Sequence, residues 1–151
     1  MRIRMAGISL SGLLLTAGLL GLTHQAVGEP AWNLLFEYGC GDPEDRLGEA
    51  LAADAVLAAG PAGAGTGRPY RSCDDDDLFV VAGASYRYPG TGASVRAHYR
   101  TAAPAQGWRP RTDACYTKRI GGTTAYLTLE EPAGRELAVE IIADRDGGAW
   151  C

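Results

Sequence analysis

TTAYLTLE (residues 123–130) and RELAVEIIA (residues 135–143) decide the fold. In the first, Ala125, Leu127 and Leu129 alternate with Thr124, Tyr126 and Thr128. In the second, Leu137, Val139 and Ile141 alternate with Glu136, Ala138 and Glu140. A period of two marks a strand with one face in a core and the other in water. TDACYTKRI (residues 112–120) comes just before, and Gly121-Gly122 is a hairpin signal between the first two segments. Pro132-Ala133-Gly134 joins the second pair. Together they predict a three-stranded antiparallel meander.

Working upstream, LFVVAGASYRY (residues 78–88) begins as an apolar run and ends in alternation, which predicts a central strand with one wetter end. Pro89-Gly90 turns the chain, and Thr91 or Ser94 can cap a following helix. Val95, Tyr99 and Ala102 form its buried stripe, with Arg96 and Arg100 facing out. Pro104 predicts a kink or an early end, because it lacks a backbone donor. Gly107 is the expected stop, and Trp108 a core anchor behind it. Nearer the start, DPED (residues 42–45) announces another helix, with Asp42 as cap and Pro43 in the first turn. Its apolar face is Leu47, Leu51, Ala55 and Ala58, and Gly60-Pro61 ends it. AGAGTGRP (residues 62–69) reads as a flexible loop, and residues 144–151 as a polar turn ending in Ala149-Trp150-Cys151.

The expected class is α+β: a two-layer sandwich, helix then β-α-β-β-β, with a mainly antiparallel sheet. Residues 42–151 form one domain on this reading, behind a juxtamembrane segment at 29–41. Residues 1–28 carry the export signal or a membrane anchor. Arg2 and Arg4 precede an uncharged run from residue 5 to residue 28. Ala26-Val27-Gly28 offers a small-x-small cleavage site. The same run is long enough to span a bilayer, and Trp32 suits an interface. Both outcomes place the bulk of the chain outside the cytoplasm, secreted or anchored by a single pass.

Beyond residue 28 there are 12 basic against 18 acidic residues, a net charge of −6. That balance excludes a nucleic-acid partner, since phosphate binding needs a basic footprint. Four cysteines follow the apolar run: Cys40, Cys73, Cys115 and Cys151. An even count in an oxidising compartment predicts two disulfides, and no pair has redox or zinc spacing. The expected pairing is Cys73–Cys115, with Cys40–Cys151 as a terminal staple.

Three features also carry a resemblance: Cys73 before a strand, Tyr99 in a helix ending at Gly107-Trp108, and Cys115-Tyr116-Thr117-Lys118 opening a hairpin. In these the chain resembles small exported or membrane-anchored proteins of actinobacteria. The resemblance implies a compartment and a fold rather than a reaction.

Candidate chemistry is sparse. Asp74, Asp75, Asp76 and Asp77 offer carboxylates for Ca²⁺, which takes 6–8 oxygen ligands. Asp144 and Asp146 could join them. The competing reading is a solvated loop at a strand entry. Tyr86, Tyr88 and Tyr116 are candidates for an aromatic recognition patch if they stay on the open sheet face, and core residues otherwise. His98 with Ser85 or Ser94 would be the only nucleophilic set, and no G-x-S-x-G elbow supports it. Glu130-Glu131 with Glu140 are explained by strand alternation alone. The leading expectation is therefore a non-enzymatic envelope domain that binds a protein or cell-wall component, with no cofactor. A Ca²⁺-dependent binding module is the alternative, and a small secreted hydrolase the third.

Overall fold

The computed structural model describes residues 39–151. The apolar run at 1–28 and residues 29–38 of the expected juxtamembrane segment lie outside the described residues. Elements follow in the order α1 (Asp42–Ala52), a 3₁₀ turn (Ala55–Ala58), β1 (Arg68–Cys73), β2 (Val80–Arg87), α2 (Gly92–Ala105), β3 (Arg109–Pro110), β4 (Cys115–Ile120), β5 (Thr123–Leu129) and β6 (Glu136–Ala143). The strands form one antiparallel sheet in the order β1-β2-β6-β5-β4-β3. The class is α+β, as the patterning requires.

Register explains the core. Val80, Ala82, Ala84 and Tyr86 stand opposite Ala143, Ile141, Val139 and Leu137. Leu127 and Leu129 continue the rows from β5. Cross-strand partners share a face, so these side chains line one side of the sheet. They pool with Leu47 and Leu51 of α1 and with Val95, Tyr99 and Ala103 of α2 in one cluster. The three expected meander strands lie within a few residues of their predicted bounds. Gly121 and Gly122 both have positive φ, the conformation of a two-residue hairpin turn with matching twist.

Several elements differ from the sequence reading. The first helix stops at Ala52, and the apolar positions beyond it fall in the separate 3₁₀ turn. Asp54 forces the break by accepting a hydrogen bond from Val56 N (3.1 Å). Gly41, not Asp42, is the N-cap; its N–H donates to Glu44 Oε2 (3.1 Å). Thr91 caps α2 through Ser94 N, and Ser94 Oγ accepts from Thr91 N (3.0 Å). Pro104 does not end α2 early. It sits in the last turn, where its missing donor concerns only the carbonyl of exposed Arg100. β1 and β3 are additional strands on the two sheet edges.

All four cysteines are paired, but as Cys40–Cys73 and Cys115–Cys151. The expected Cys73–Cys115 bridge fails on topology. Cys73 is on β1 and Cys115 on β4, four strand spacings apart. At about 4.8 Å per spacing that is roughly 19 Å, far beyond disulfide reach. The observed bonds join Cα atoms 6.2 and 6.3 Å apart. Cys40 lies just ahead of α1 and is held to the end of β1. Cys115 faces away from the core residue Tyr116, so Cys151 reaches it on the opposite side of the sheet. Trp150, next to Cys151, packs against Phe79 in a tilted pair with ring centroids 4.7 Å apart.

Candidate functional site

A groove of about 610 Å³ opens beside the first helix. Its walls are the end of α1, the 3₁₀ turn, the Gly-rich loop before β1, and the paired stretch of β1 and β2. Most lining residues are Ala or Gly, so the groove exists because the sequence puts no large side chain there. Tyr86 forms part of its floor. A Cβ at Gly60 or Gly67 would meet the Tyr86 ring at 2.6 or 2.8 Å, so only glycine lets the loop close over the ring. Tyr86 Oη donates to the Leu57 carbonyl, and burial raises the phenol pKa. The volume falls within the usual range of small-molecule sites, about 300–1,000 Å³.

Asp54 is part of the groove lining. Its side chain is only 5% exposed, and it gathers three donors. Val56 N and Trp108 Nε1 donate to Oδ1 (3.1 and 3.2 Å), and Lys118 Nζ to Oδ2 (2.6 Å). Lys118 also donates to Gln106 O (2.8 Å) and lies 5.7 Å from the centre of the Trp108 ring. His98 Nε2 donates to Ala59 O (2.8 Å), which ties α2 to the end of the 3₁₀ turn.

A second hollow of about 500 Å³ is lined by Gly65, Thr66, Arg68, Arg87, Arg135 and Glu136. Gly65 and Thr66 are common to both hollows. β1 and β2 deliver Arg68 and Arg87, and Arg135 stands immediately before β6. The backbone of two arginines is pinned, since Gly65 N donates to Arg87 O (2.9 Å) and Tyr88 N to Arg135 O (2.8 Å).

The two acidic stretches do meet. Asp77 lines a hollow of about 330 Å³ with Asp144 and Asp146. Three of these six carboxylates, Asp74, Asp75 and Asp144, are occupied by backbone donors. Asp74 Oδ1 accepts from Asp76 N (3.0 Å) and Asp77 N (2.9 Å), and Asp75 Oδ1 from Cys40 N (3.0 Å). Asp144 accepts from Gly147 N, Gly148 N and Trp150 Nε1. Among the described residues, no group of three His, Cys, Asp or Glu side chains is placed to hold a metal ion. Leu78 closes the tetra-aspartate loop at φ +56°, so the acids cap a tight turn before β2.

Tyr86, Tyr88 and Tyr116 are not an open patch. They are 3, 4 and 2% exposed and belong to the core. Their register puts them on the helix side of the sheet. The opposite face carries half-buried Tyr70 and Tyr126. Tyr70 Oη donates to Glu140 Oε1 (2.5 Å); burial first, then this carboxylate, raises its pKa. Ser94 Oγ is engaged with Thr91 and Tyr88, and His98 with Ala59, so no hydrogen bond joins Ser94 to His98. Glu131 pairs with Arg96 rather than with another carboxylate.

Comparison with protein-family models, curated proteins and solved structures gives no match. The sequence reading missed Asp54 and the groove. Asp54 looks like any helix-end acid in the chain, and a lining of Ala and Gly has no chemical signature. The Gly-rich stretch at 60–67 was the available signal.

Proposed function

We propose that this chain is a non-enzymatic binding domain of the cell envelope, secreted or tethered by its N-terminal apolar run. The observation that carries the reading is the pairing of all four cysteines into two disulfides. Such bonds persist in oxidising compartments outside the cytoplasm. The basic start before an uncharged run, and the resemblance to small exported actinobacterial proteins, support the same compartment. On this reading the tether is residues 5–28; among the described residues, no helix is long and apolar enough to cross a membrane. The binding surface on this reading is the groove with its arginine-lined neighbour, and its ligand belongs to the envelope.

Intact mass of the native protein from cell fractions and medium tests this. The expected product lies beyond the cytoplasm and gains four mass units on reduction. Recovery as a reduced cytoplasmic protein would sink the proposal. A product starting at Glu29 in the medium identifies secretion, and an uncut chain in the membrane fraction identifies a tether.

A further inference from the structure

The two hollows differ in chemistry and share a wall. One is lined mainly by Ala, Gly, Leu57 and Tyr86. The other carries three guanidinium groups against one carboxylate, in a chain whose net charge is −4. Arg68 lies 3.3 Å from Glu136. Among the described residues, Arg87 and Arg135 make no ion pair. The strand ends therefore concentrate unneutralised positive charge beside a groove walled mainly by Ala and Gly. We infer that the pair of hollows binds an amphiphile with one aliphatic chain and a carboxylate head, the chain in the groove and the head at Arg87 and Arg135.

Each half of the site has its own physical reason. Alanine and glycine walls leave room for methylene groups, and the Asp54 carboxylate in the lining already has three donors of its own, so an alkyl chain strands no charge there. Arginine offers planar paired donors that match a carboxylate. The arginines are exposed, which makes the charge contribution modest, so chain burial supplies most of the affinity. Lengthening the chain by two carbons should tighten binding about tenfold until the groove is full. The inference deepens the proposed binding function and rests on it.

The test is an NMR titration of the full-length, oxidised, ¹⁵N-labelled protein, with every probe below its micelle concentration. The probes are octanoate, decanoate, neutral decyl maltoside and inorganic phosphate. Decanoate should shift the amides of Gly65, Thr66, Gly67 and Gly83, and bind about tenfold tighter than octanoate. The R87Q/R135Q double variant should weaken decanoate about tenfold and leave decyl maltoside unchanged. An unaltered spectrum away from the two sites shows that the variant is folded. Equal binding of decyl maltoside and decanoate would overturn the anionic head. Phosphate binding as well as decanoate would overturn the chain in the groove. Shifts elsewhere, or none, would overturn the whole inference. None of these results alters the mass and fractionation result, which tests the envelope reading separately.

Discussion

Replacing Asp54 by alanine should destabilise the domain by about 3 kcal/mol. The carboxylate caps the 3₁₀ turn, a role worth about 1 kcal/mol. It also satisfies the Trp108 indole N–H, whose loss of a partner in the core costs about 1–3 kcal/mol. Finally it balances the Lys118 ammonium at 2.6 Å. Breaking a fully buried pair costs about 3–5 kcal/mol, but Lys118 is 29% exposed and keeps Gln106 O, so its share is much smaller. These contributions overlap at one carboxylate and do not add fully. A total near 3 kcal/mol is a large part of the 5–15 kcal/mol typical of a domain. Urea unfolding of the oxidised protein, followed by circular dichroism, measures it. Asp45→Ala, an exposed acid in the first turn of α1, is the control and should cost under about 0.5 kcal/mol. A loss for Asp54→Ala below about 1 kcal/mol would refute the three-way role. A double-mutant cycle with Lys118→Met isolates the ion pair.

Other expectations follow from the same geometry. Burial raises the phenols of Tyr70, Tyr86, Tyr99 and Tyr116, Glu140 adding to the effect at Tyr70. A raised folded-state pKa favours the protonated form, so stability is full below the unfolded tyrosine value of about 10 and falls as pH rises above it. Urea midpoints at pH 8, 10 and 11 should decrease in that order, and a flat series would contradict the burial argument. Replacing both Cys115 and Cys151 by serine opens a loop of 36 residues and should cost about 4 kcal/mol by chain entropy; peptide mapping without reduction should recover the 40–73 and 115–151 pairs. Tyr99 Oη is buried with no partner among the described residues. Tyr99→Phe should therefore stabilise by about 1 kcal/mol, and a loss in thermal unfolding would reveal a partner for the hydroxyl. Pro104→Ala should change stability by under about 1 kcal/mol, since it restores one donor to an exposed carbonyl; a larger loss would mean the proline shapes the turn into Trp108.

The β4–β5–β6 meander was legible because one buried face imposes a period of two and Gly121-Gly122 sets the turn. Tyr86 was placeable within its strand, but alternation gives two faces and does not say which one the helices cover. β1 escaped because RPYRSC (residues 68–73) is an edge strand with little burial and an internal proline. The disulfide pairing depends on strand order, and order is a non-local property that no segment carries. Ala55 and Ala58 kept the helical spacing across Asp54, so the break there was hidden by a pattern that 3₁₀ and α turns share. The acidic run was visible at once, but that Asp74 turns inward to the amides of Asp76 and Asp77, and Asp75 to that of Cys40, is a matter of loop geometry that only coordinates reveal.

The strand order also says something about when the domain can form. β1 with β2, and β3 with β4 and β5, are groups of sequence neighbours that can associate early. They meet only through β6, which pairs with β2 on one side and β5 on the other. Until β6 arrives, both groups present open edges and the core rows lack Leu137, Val139 and Ile141. If the chain is exported as proposed, it gains from this arrangement, because the strand that locks the sheet is the last of the six to emerge.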